Sequence, residues 1–401
     1  MRALLWEGGF LTRERVRLWS LALLAAMLIA IVWLDITAHG LNDYRGRPLG
    51  TDFSDVYAAG ALAGEGHAAA AYDWPRHYQK EQAIFGKTTP FYGWHYPPFF
   101  LVAAEALAQL PYIPALLLWQ GLTLLFYALA LRALTKASPA PALARDPLWL
   151  ALVLAFPAVF VNLTHGQNGF LTTAIVAGGL ALLKPRPLLA GLVFGLLAYK
   201  PQFAAALPFA LVAGRQWKAL GTAAVMILLL CALATLSFGA AIWPAFFASL
   251  HLSQTVVLEA GGTGFEKIQS AFAALRLLGA PLRAAYGAQF VVTITALTAL
   301  VMVWRSPASA MLKGAALCLA TTLSTPYSLD YDLVLLAPVI LLMAVEGRAR
   351  GFRAGEHLLL AALWCVPILA RPLASVTHLA VAPLLMLVAL LLLLRRARSA
   401  F

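Results

Sequence analysis

Five groups of polar residues stand among long apolar stretches, and their side chains are the ones able to take part in chemistry. The groups are Thr51-Asp-Phe-Ser-Asp55, Trp94-His-Tyr96, Gly166-Gln-Asn168, Tyr199-Lys200 and Asp330-Tyr-Asp332. Carboxylates exchange protons with hydroxyl groups, amides and hydroxyls orient polar substrates, and a lysine balances negative charge. These groups therefore contain the candidate site residues.

The first group contains two carboxylates, Asp52 and Asp55, which lie three residues apart. They would share one face of a helix if this segment is helical. A structural explanation is equally open: Thr51 or Asp52 caps a helix that runs through residues 56–62, since aspartate is a favoured N-cap. Sequence alone does not separate a capping role from a chemical one.

Lys200 lies within a nearly continuous apolar hairpin and has no carboxylate close to it in sequence. A charge at such a depth in a membrane is costly, which makes Lys200 a functional-site candidate. The alternative is that its long side chain extends to the membrane interface. The carboxylates of Asp330 and Asp332 likewise suit either a site or an N-cap beside interfacial tyrosines.

The composition of the chain is that of a membrane protein. Its 401 residues are 62% hydrophobic and only 11% charged, whereas a soluble domain carries about 25% charged residues. Apolar stretches of membrane-spanning length recur along the chain, and in lipid each must be a helix to satisfy its own backbone. We therefore predict an all-α polytopic membrane protein that forms a single domain over residues 1–401.

The net charge of +12 comes from basic residues in short connections between apolar stretches, so it indicates topology and no nucleic-acid partner. Placing these connections in the cytoplasm predicts about twelve spans with both termini cytoplasmic. The predicted spans are 18–35, 113–132, 147–162, 168–183, 187–200, 201–214, 217–237, 284–304, 308–323, 331–346, 356–370 and 376–394. The first is expected to be a retained anchor, because it lacks a signal-peptidase site. The three cysteines lie within apolar stretches and predict neither a disulfide nor a metal site.

Two long loops are then expected on the outer side, over residues 36–96 and 237–283. The apolar stretch 97–110 is too short for a full span and is predicted to be re-entrant or shallow. The glycine cluster at 261–264 is interpreted as a flexible turn. Under this topology Asp52, Gln167, Lys200 and Asp330 all fall on the outer side.

Several activities are excluded or constrained by this organisation. The chain has no G-x-x-x-x-G-K-[ST] phosphate loop and no cytoplasmic segment that could form a nucleotide-binding domain, which argues against ATP-driven transport. Nucleotide donors are absent outside the cell, so an enzyme acting there needs an activated substrate dissolved in the membrane. A polyprenyl-phosphate sugar meets that requirement.

At these residues the chain resembles glycosyltransferase family 87, which contains bacterial polyprenol-phosphate-mannose-dependent α-mannosyltransferases. The resemblance runs from about Asp52 to Ala337 and depends on the order of several short motifs. They are Thr51-Asp-Phe53, Tyr72-Asp73, Tyr96-Pro-Pro98, Gly166-Gln-Asn168, Arg186-Pro187 with Ala190-Gly191, Lys200-Pro201, Arg215-Gln-Trp217, Ser324-Thr-Pro326 and Tyr331-Asp332.

The resemblance implies a GT-C membrane fold in a bacterial plasma membrane, with the active site facing the periplasm. It also implies inverting transfer of a hexose, usually mannose, from a polyprenyl-phosphate donor to a lipid or glycan acceptor. Asp52 corresponds to the catalytic base, and we expect Lys200 to bind the donor phosphate. Residues expected to contact the sugar or the acceptor are Asp55, His95, Tyr96, Gln167, Asn168, Asp330 and Asp332.

No metal or other cofactor is required by this mechanism, although Asp52 and Asp55 could hold Mg²⁺. The expected partners are the lipid-linked donor, the acceptor and membrane lipids. One departure concerns Asp330-Tyr-Asp332, where actinobacterial members of the family have histidines, so the acceptor is left open.

Two other functions fit the same sequence. A transporter or flippase of a lipid-linked sugar would also need many spans and buried charge, but no repeated halves of the kind common in transporters are present. A glycan polymerase or ligase would share the lipid-linked donor and the outer face.

Overall fold

The computed structural model describes residues 8–398, and this part of the chain is helical, with isolated β-bridges but no strand. The first helices are α1 (Arg13–Ile36), α2 (Phe53–Gly64), α3 (Trp74–Phe85), α4 (Pro98–Ala108), α5 (Tyr112–Lys136), α6 (Pro147–Leu154), α7 (Pro157–His165), α8 (Gly169–Leu183), α9 (Pro187–Gly195) and α10 (Pro201–Ala204). The others are α11 (Leu207–Ala213), α12 (Trp217–Phe238), α13 (Ile242–Leu252), α14 (Ala271–Leu277), α15 (Leu282–Arg305), α16 (Ala310–Leu323), α17 (Leu336–Arg350), α18 (Glu356–Thr377) and α19 (Val381–Arg398). The predicted all-α fold is confirmed.

Five helices in the described residues are long and apolar enough to cross a membrane, namely α1, α5, α12, α15 and α18. Each has 22 to 25 residues, a rise of about 33 to 38 Å that exceeds the hydrocarbon thickness of about 30 Å. Helices α6 and α7 would supply a sixth span, bent by 48°. Twelve spans and the cytoplasmic location of both termini remain predictions.

Several predicted spans are shorter or interrupted. The predicted spans 187–200 and 201–214 correspond to α9 with a 3₁₀ turn and to α10 with α11, and each pair rises only about 20 Å. Proline stands at the first or second position of α10 and of α11, where it cannot continue the preceding helix. The result is a helix break at Lys200, where the backbone is not helical.

The stretch 97–110, predicted to be re-entrant or shallow, contains α4, with 11 residues and a rise of about 16 Å. This helix packs closely on α2. A Cβ atom added to Gly60 would lie 2.0 Å from the Ala104 carbonyl oxygen, so glycine allows the two helices to meet. The contact ties the segment that begins at Asp52 to the apolar body.

The two segments predicted as outer loops are ordered. Residues 36–96 include α2, the 3₁₀ turn Ala68–Tyr72 and α3. Residues 237–283 include α13, a π-helical segment Ser253–Glu259, the 3₁₀ turn Phe265–Lys267 and α14. The second segment packs against α15 in a small apolar core made of Leu258, Ile268, Phe272 and Ala273 with Ala285 of α15.

The first helix is attached weakly to the remainder. Both Arg13 guanidinium Nη atoms lie 2.8 Å from the carboxylate of Asp146, which also caps α6 by accepting from the Leu148 amide. Ser20 and Met27 are the buried residues of α1. Most of its remaining surface is apolar and exposed, as expected for a helix surrounded by lipid.

Candidate functional site

Asp52 stands at the N-cap position of α2, but its side chain makes no capping hydrogen bond. Its Oδ2 atom instead accepts a hydrogen bond from Gln167 Nε2 at 2.8 Å and lies 3.3 Å from Lys267 Nζ. These partners are 115 and 215 residues away in sequence. The capping explanation for Asp52 is therefore wrong, because the carboxylate is used in tertiary contacts.

Gln167 reaches Asp52 because the end of α7 approaches the start of α2 very closely. Gly166 ends α7 with φ = 59°, the left-handed conformation that glycine adopts most easily. A Cβ atom at this position would lie 2.6 Å from Phe53 Cβ and 2.8 Å from the Gly50 carbonyl oxygen. The Trp119 indole donates to the Gly166 carbonyl oxygen at 3.1 Å and fixes the turn from α5.

Lys267 was not identified in the sequence analysis, and it supplies the cation beside Asp52. It ends the 3₁₀ turn Phe265–Lys267, which follows Gly264 with φ = 83°. The Gln269 amide donates to the Ser328 carbonyl oxygen at 2.6 Å, so this segment is tied to the residues that precede Asp330. The signal in the sequence was the glycine cluster at 261–264, which forms a turn as predicted and orients the one lysine of residues 237–283.

Lys200 lies at the break between the 3₁₀ turn Leu196–Tyr199 and α10. Its Nζ atom is 2.7 Å from Asp332 Oδ1, and the two side chains are 5% and 3% exposed. The proposed alternative of a lysine reaching the interface is therefore wrong. Asp332 Oδ2 also accepts from the Leu329 amide at 3.0 Å, which fixes the carboxylate for the pair.

Tyr331 joins the two ion pairs. The Nζ atoms of Lys200 and Lys267 lie 5.3 and 5.2 Å from the centroid of its ring, within the range of cation–π attraction. Asp52, Lys267, Lys200 and Asp332 thus form one charged cluster around a tyrosine, although they come from four separate segments. Tyr331 itself was not among the predicted site residues.

Asp330 points toward another partner. Its Oδ2 atom lies 3.7 Å from Nη1 of Arg371 in α18, and its Oδ1 atom accepts from the Tyr331 amide at 2.9 Å. His165 also borders the cluster, with its ring 6.1 Å from that of Tyr331. Neither Arg371 nor His165 was predicted, because nothing local in the sequence relates them to Asp330-Tyr-Asp332.

The predicted residues Tyr96 and Asn168 contact Gln167. The Tyr96 hydroxyl lies 3.4 Å from Gln167 Oε1, and the Asn168 amide donates to the same atom at 3.2 Å. With its oxygen held in this way, the Gln167 amide nitrogen is directed at Asp52. The Nδ1 atom of His95 is 2.7 Å from the Ser253 hydroxyl, a contact between residues 36–96 and residues 237–283.

Electrostatics distinguish Asp52 from the carboxyl groups near it. Burial alone would raise the pKa of Asp52, but the positive charge of Lys267, with further contributions from His165 and Gln167, lowers that pKa below its ordinary value. Burial and the charges of Asp52 and Glu81 raise the pKa of Asp55 well above the usual range. Burial raises the pKa of Glu81 to about 8 and lowers that of His95 to about 4. Asp52 is thus the member of the three neighbouring carboxyl groups whose surroundings favour the ionised form.

The positive charge of the site comes from lysines. Among residues 8–398 no three His, Cys, Asp or Glu side chains are grouped so that they could hold a metal ion. The cluster can therefore supply a proton acceptor at Asp52 and two ammonium groups near the ring of Tyr331.

These features define a polytopic membrane protein with a buried polar site suited to proton transfer and anion binding. The sequence model of glycosyltransferase family 87 matches residues 94–328, more than half of the chain, and the protein belongs to that family. It is accordingly a membrane glycosyltransferase, and the family predicted from the sequence is confirmed. Comparison with curated proteins and with solved structures gave no match. The matched range contains Gln167, Lys200 and Lys267, whereas Asp52 and Asp332 lie outside it.

Proposed function

We propose that this protein transfers a hexose, mannose being the expected sugar, from a polyprenyl-phosphate donor to a lipid or glycan acceptor. Three observations support the proposal: the family, the membrane-spanning helices that give access to a lipid-linked donor, and the charged cluster around Tyr331. The observation that carries most weight is that Asp52, at an N-cap position, is held by Gln167 and Lys267 instead of capping its helix.

In the proposed reaction Asp52 accepts the proton of an acceptor hydroxyl while that oxygen attacks the anomeric carbon of the sugar. The bond between this carbon and the phosphate oxygen breaks, and its electron pair leaves with the polyprenyl phosphate. One displacement inverts the anomeric configuration and needs one base. General-base catalysis of this kind contributes about 10²- to 10⁴-fold.

The two lysines have different parts in this mechanism. Lys200 is the proposed contact of the donor phosphate, where a preorganised cation stabilises the charge that develops as the sugar departs. Lys267 keeps Asp52 ionised until the acceptor arrives. Substrate hydroxyl groups would be oriented by the remaining predicted residues, which are Asp55, His95, Tyr96, Gln167, Asn168, Asp330 and Asp332.

The proposed location is a bacterial plasma membrane, with a GT-C arrangement of about twelve spans, both termini in the cytoplasm and the site facing the periplasm. The distribution of basic residues supports this orientation, because they collect in connections at the helix ends away from Asp52. A lipid-linked donor that is made in the cytoplasm and carried to the outer leaflet would then reach Asp52 through the membrane.

The central test is Asp52→Asn in full-length protein purified in detergent, supplied with polyprenyl-phosphate mannose and a membrane-lipid acceptor extract. We expect the loss of a general base to reduce transfer by at least about 100-fold. Asp73→Asn is the matched control. Asp73 also stands at an N-cap in residues 36–96, but it does cap its helix by accepting from the Arg76 amide, a role that asparagine can keep.

Full transfer by the Asp52→Asn variant, at equal expression and equal elution on size exclusion, would refute the role of this carboxylate. In protein reconstituted into sealed vesicles, movement of the lipid-linked sugar across the bilayer without a new glycosidic bond would instead identify a flippase.

A further inference from the structure

A polar cavity lies away from the Asp52 cluster, where α11 meets α12 and α15 meets α16. Its volume is about 640 Å³. The lining residues are Val212, Ala213, Gly214, Arg215, Trp217, Trp304, Arg305, Ser306 and Lys313. The motif Arg215-Gln-Trp217, which belongs to the family pattern, thus forms one wall, and the proposed transfer mechanism gives it no task.

Three cations face this cavity without a counter-ion. Among the described residues neither Arg215, Arg305 nor Lys313 forms an ion pair with a carboxylate. Three positive charges gathered around one space repel one another, and an anion placed between them relieves that repulsion. Phosphate suits arginine in particular, because the guanidinium group can form two parallel hydrogen bonds to it.

An apolar groove continues from the polar cavity. It has a volume of about 380 Å³, is lined by Pro208, Phe209 and Val301, and shares Val212, Ala213 and Arg305 with the larger cavity. Phe209 is 47% exposed and Val212 is 44% exposed. Together the two spaces have a cationic end and an adjoining apolar channel along α11 and α15.

The polar end is held in shape by tertiary contacts. A Cβ atom on Gly214 would lie 2.6 Å from the Trp304 ring, so glycine lets the indole close one side of the cavity. The Trp304 indole donates to the Lys313 carbonyl oxygen at 2.9 Å, which fixes α16 against α15. Arg215 has φ = 53°, in the left-handed region that an L-residue rarely adopts. The three cations are thus presented by a defined turn and two packed helix ends.

We propose that this cavity binds an anionic membrane phospholipid, with the headgroup phosphate between Arg215, Arg305 and Lys313 and an acyl chain in the groove beside Phe209. Basic pockets between membrane helices on the cytoplasmic side bind lipid headgroups by this chemistry. The pocket lies at the C-terminal end of α15. The N-terminal end of this helix, near Lys267, is about 36 Å away, so lipid binding is separate from sugar transfer.

The test is native mass spectrometry of the full chain in detergent, titrated with dioleoyl phosphatidylglycerol or with dioleoyl phosphatidylcholine. We expect preferential retention of phosphatidylglycerol. The double variant Arg215→Gln with Arg305→Gln should weaken that binding at least tenfold. Arg132→Gln is the control, because Arg132 is an exposed arginine near the end of α5 that lines neither cavity.

The apolar groove is tested by Phe209→Ala, which should weaken phosphatidylglycerol binding while leaving the weak binding of soluble glycerophosphoglycerol unchanged. Equal retention of the two phospholipids, or no difference between the double variant and Arg132→Gln, would overturn the proposal. Inorganic phosphate that binds as tightly as phosphatidylglycerol would also overturn it, because the site would then hold a soluble anion.

Discussion

Asp52 and Lys267 show how tertiary contacts change the properties of a single side chain. An aspartate at a helix N-cap ordinarily accepts hydrogen bonds from backbone amides, which stabilises the helix by about 1 kcal/mol. Here α2 begins without that stabilisation, since the carboxylate of Asp52 binds Gln167 and Lys267. The missing cap at a buried carboxylate agrees with the proposed use of Asp52 as the catalytic base.

A pH profile separates an electrostatic role of Lys267 from a structural one. Lys267 lowers the pKa of Asp52, whereas burial acts in the opposite direction. Removing the ammonium group in Lys267→Gln should therefore raise that pKa and move the acidic limb of kcat/KM to higher pH. We also expect activity at neutral pH to fall by about ten- to a hundredfold.

Lys80→Gln is the control for this change, because Lys80 is paired with Glu65 in the first outer segment, away from Asp52. An acidic limb that stays at the wild-type pH in the Lys267→Gln protein would mean that Lys267 does not set the proton affinity of the base.

At the scale of elements, the site is assembled from places where helices stop. Asp52 precedes α2, Gln167 lies between α7 and α8, Lys200 precedes α10, and Lys267 and Tyr331 lie in 3₁₀ turns. Helix ends leave backbone groups unpaired and allow the chain to change direction, so polar side chains can converge there. Hydropathy located the start of α8 to within one residue, at 168 against Gly169, but it gave α6 and α7 as one predicted span, 147–162.

The contacts between the elements were beyond the reach of the sequence. Lys200 and Asp332 are 132 residues apart, and Asp52 and Lys267 are 215 apart. No local pattern states which helix ends meet, since that depends on packing across the whole bundle. For this reason Lys267 and Arg371 were missed. Tyr331 lies within the motif Tyr331-Asp332, but the sequence analysis interpreted it as an interfacial tyrosine. Gln167 and Lys200, which the sequence singled out, lie beside the charged residues of the site.

The junction of α7 and α2 gives a prediction about an element contact. Gly166→Ala would place a methyl group against Phe53 and the Gly50 carbonyl oxygen in a left-handed turn. We expect a loss of stability of about 1–3 kcal/mol. We also expect at least a tenfold loss of kcat/KM, because Gln167 moves away from Asp52. Thermal unfolding in detergent and the transfer assay measure the two effects.

Gly121→Ala is the matched control for this experiment. Gly121 lies within α5, and an added Cβ atom there meets no other atom within 4 Å. Alanine should be neutral or slightly stabilising at that helical position. Equal behaviour of the two variants would show that the close approach at Gly166 is not required.

At the scale of the whole molecule, composition predicted a helical membrane protein and the motifs predicted its family, and both are confirmed. The number of spans is harder to predict, because short apolar helices such as α4, α9 and α11 are each too short to cross the bilayer alone. Length and apolar character alone cannot distinguish a half-span from a buried helix.

The predicted orientation can be tested by thiol labelling in intact cells. The starting protein is a variant in which the three native cysteines are replaced by serine. The substitution His67→Cys lies within residues 36–96, and Lys184→Cys lies in a predicted cytoplasmic connection. Both positions are exposed. A membrane-impermeant maleimide should modify the first and spare the second until the cells are broken. Labelling of the second position alone would show that the orientation is opposite to the predicted one and that Asp52 lies in the cytoplasm.

The first helix, α1, is joined to its neighbours by Arg13 and little buried surface. Its outward side chains, such as Leu28 and Ile29, touch solvent or acyl chains and no partner within the fold. Exchanges among leucine, isoleucine, valine and phenylalanine on those sides remove no packing. Natural selection there therefore acts on the length of the helix and the hydrophobicity of its side chains more than on residue identity. Among orthologous enzymes this stretch is expected to drift in sequence faster than the tightly fitted helices around Tyr331.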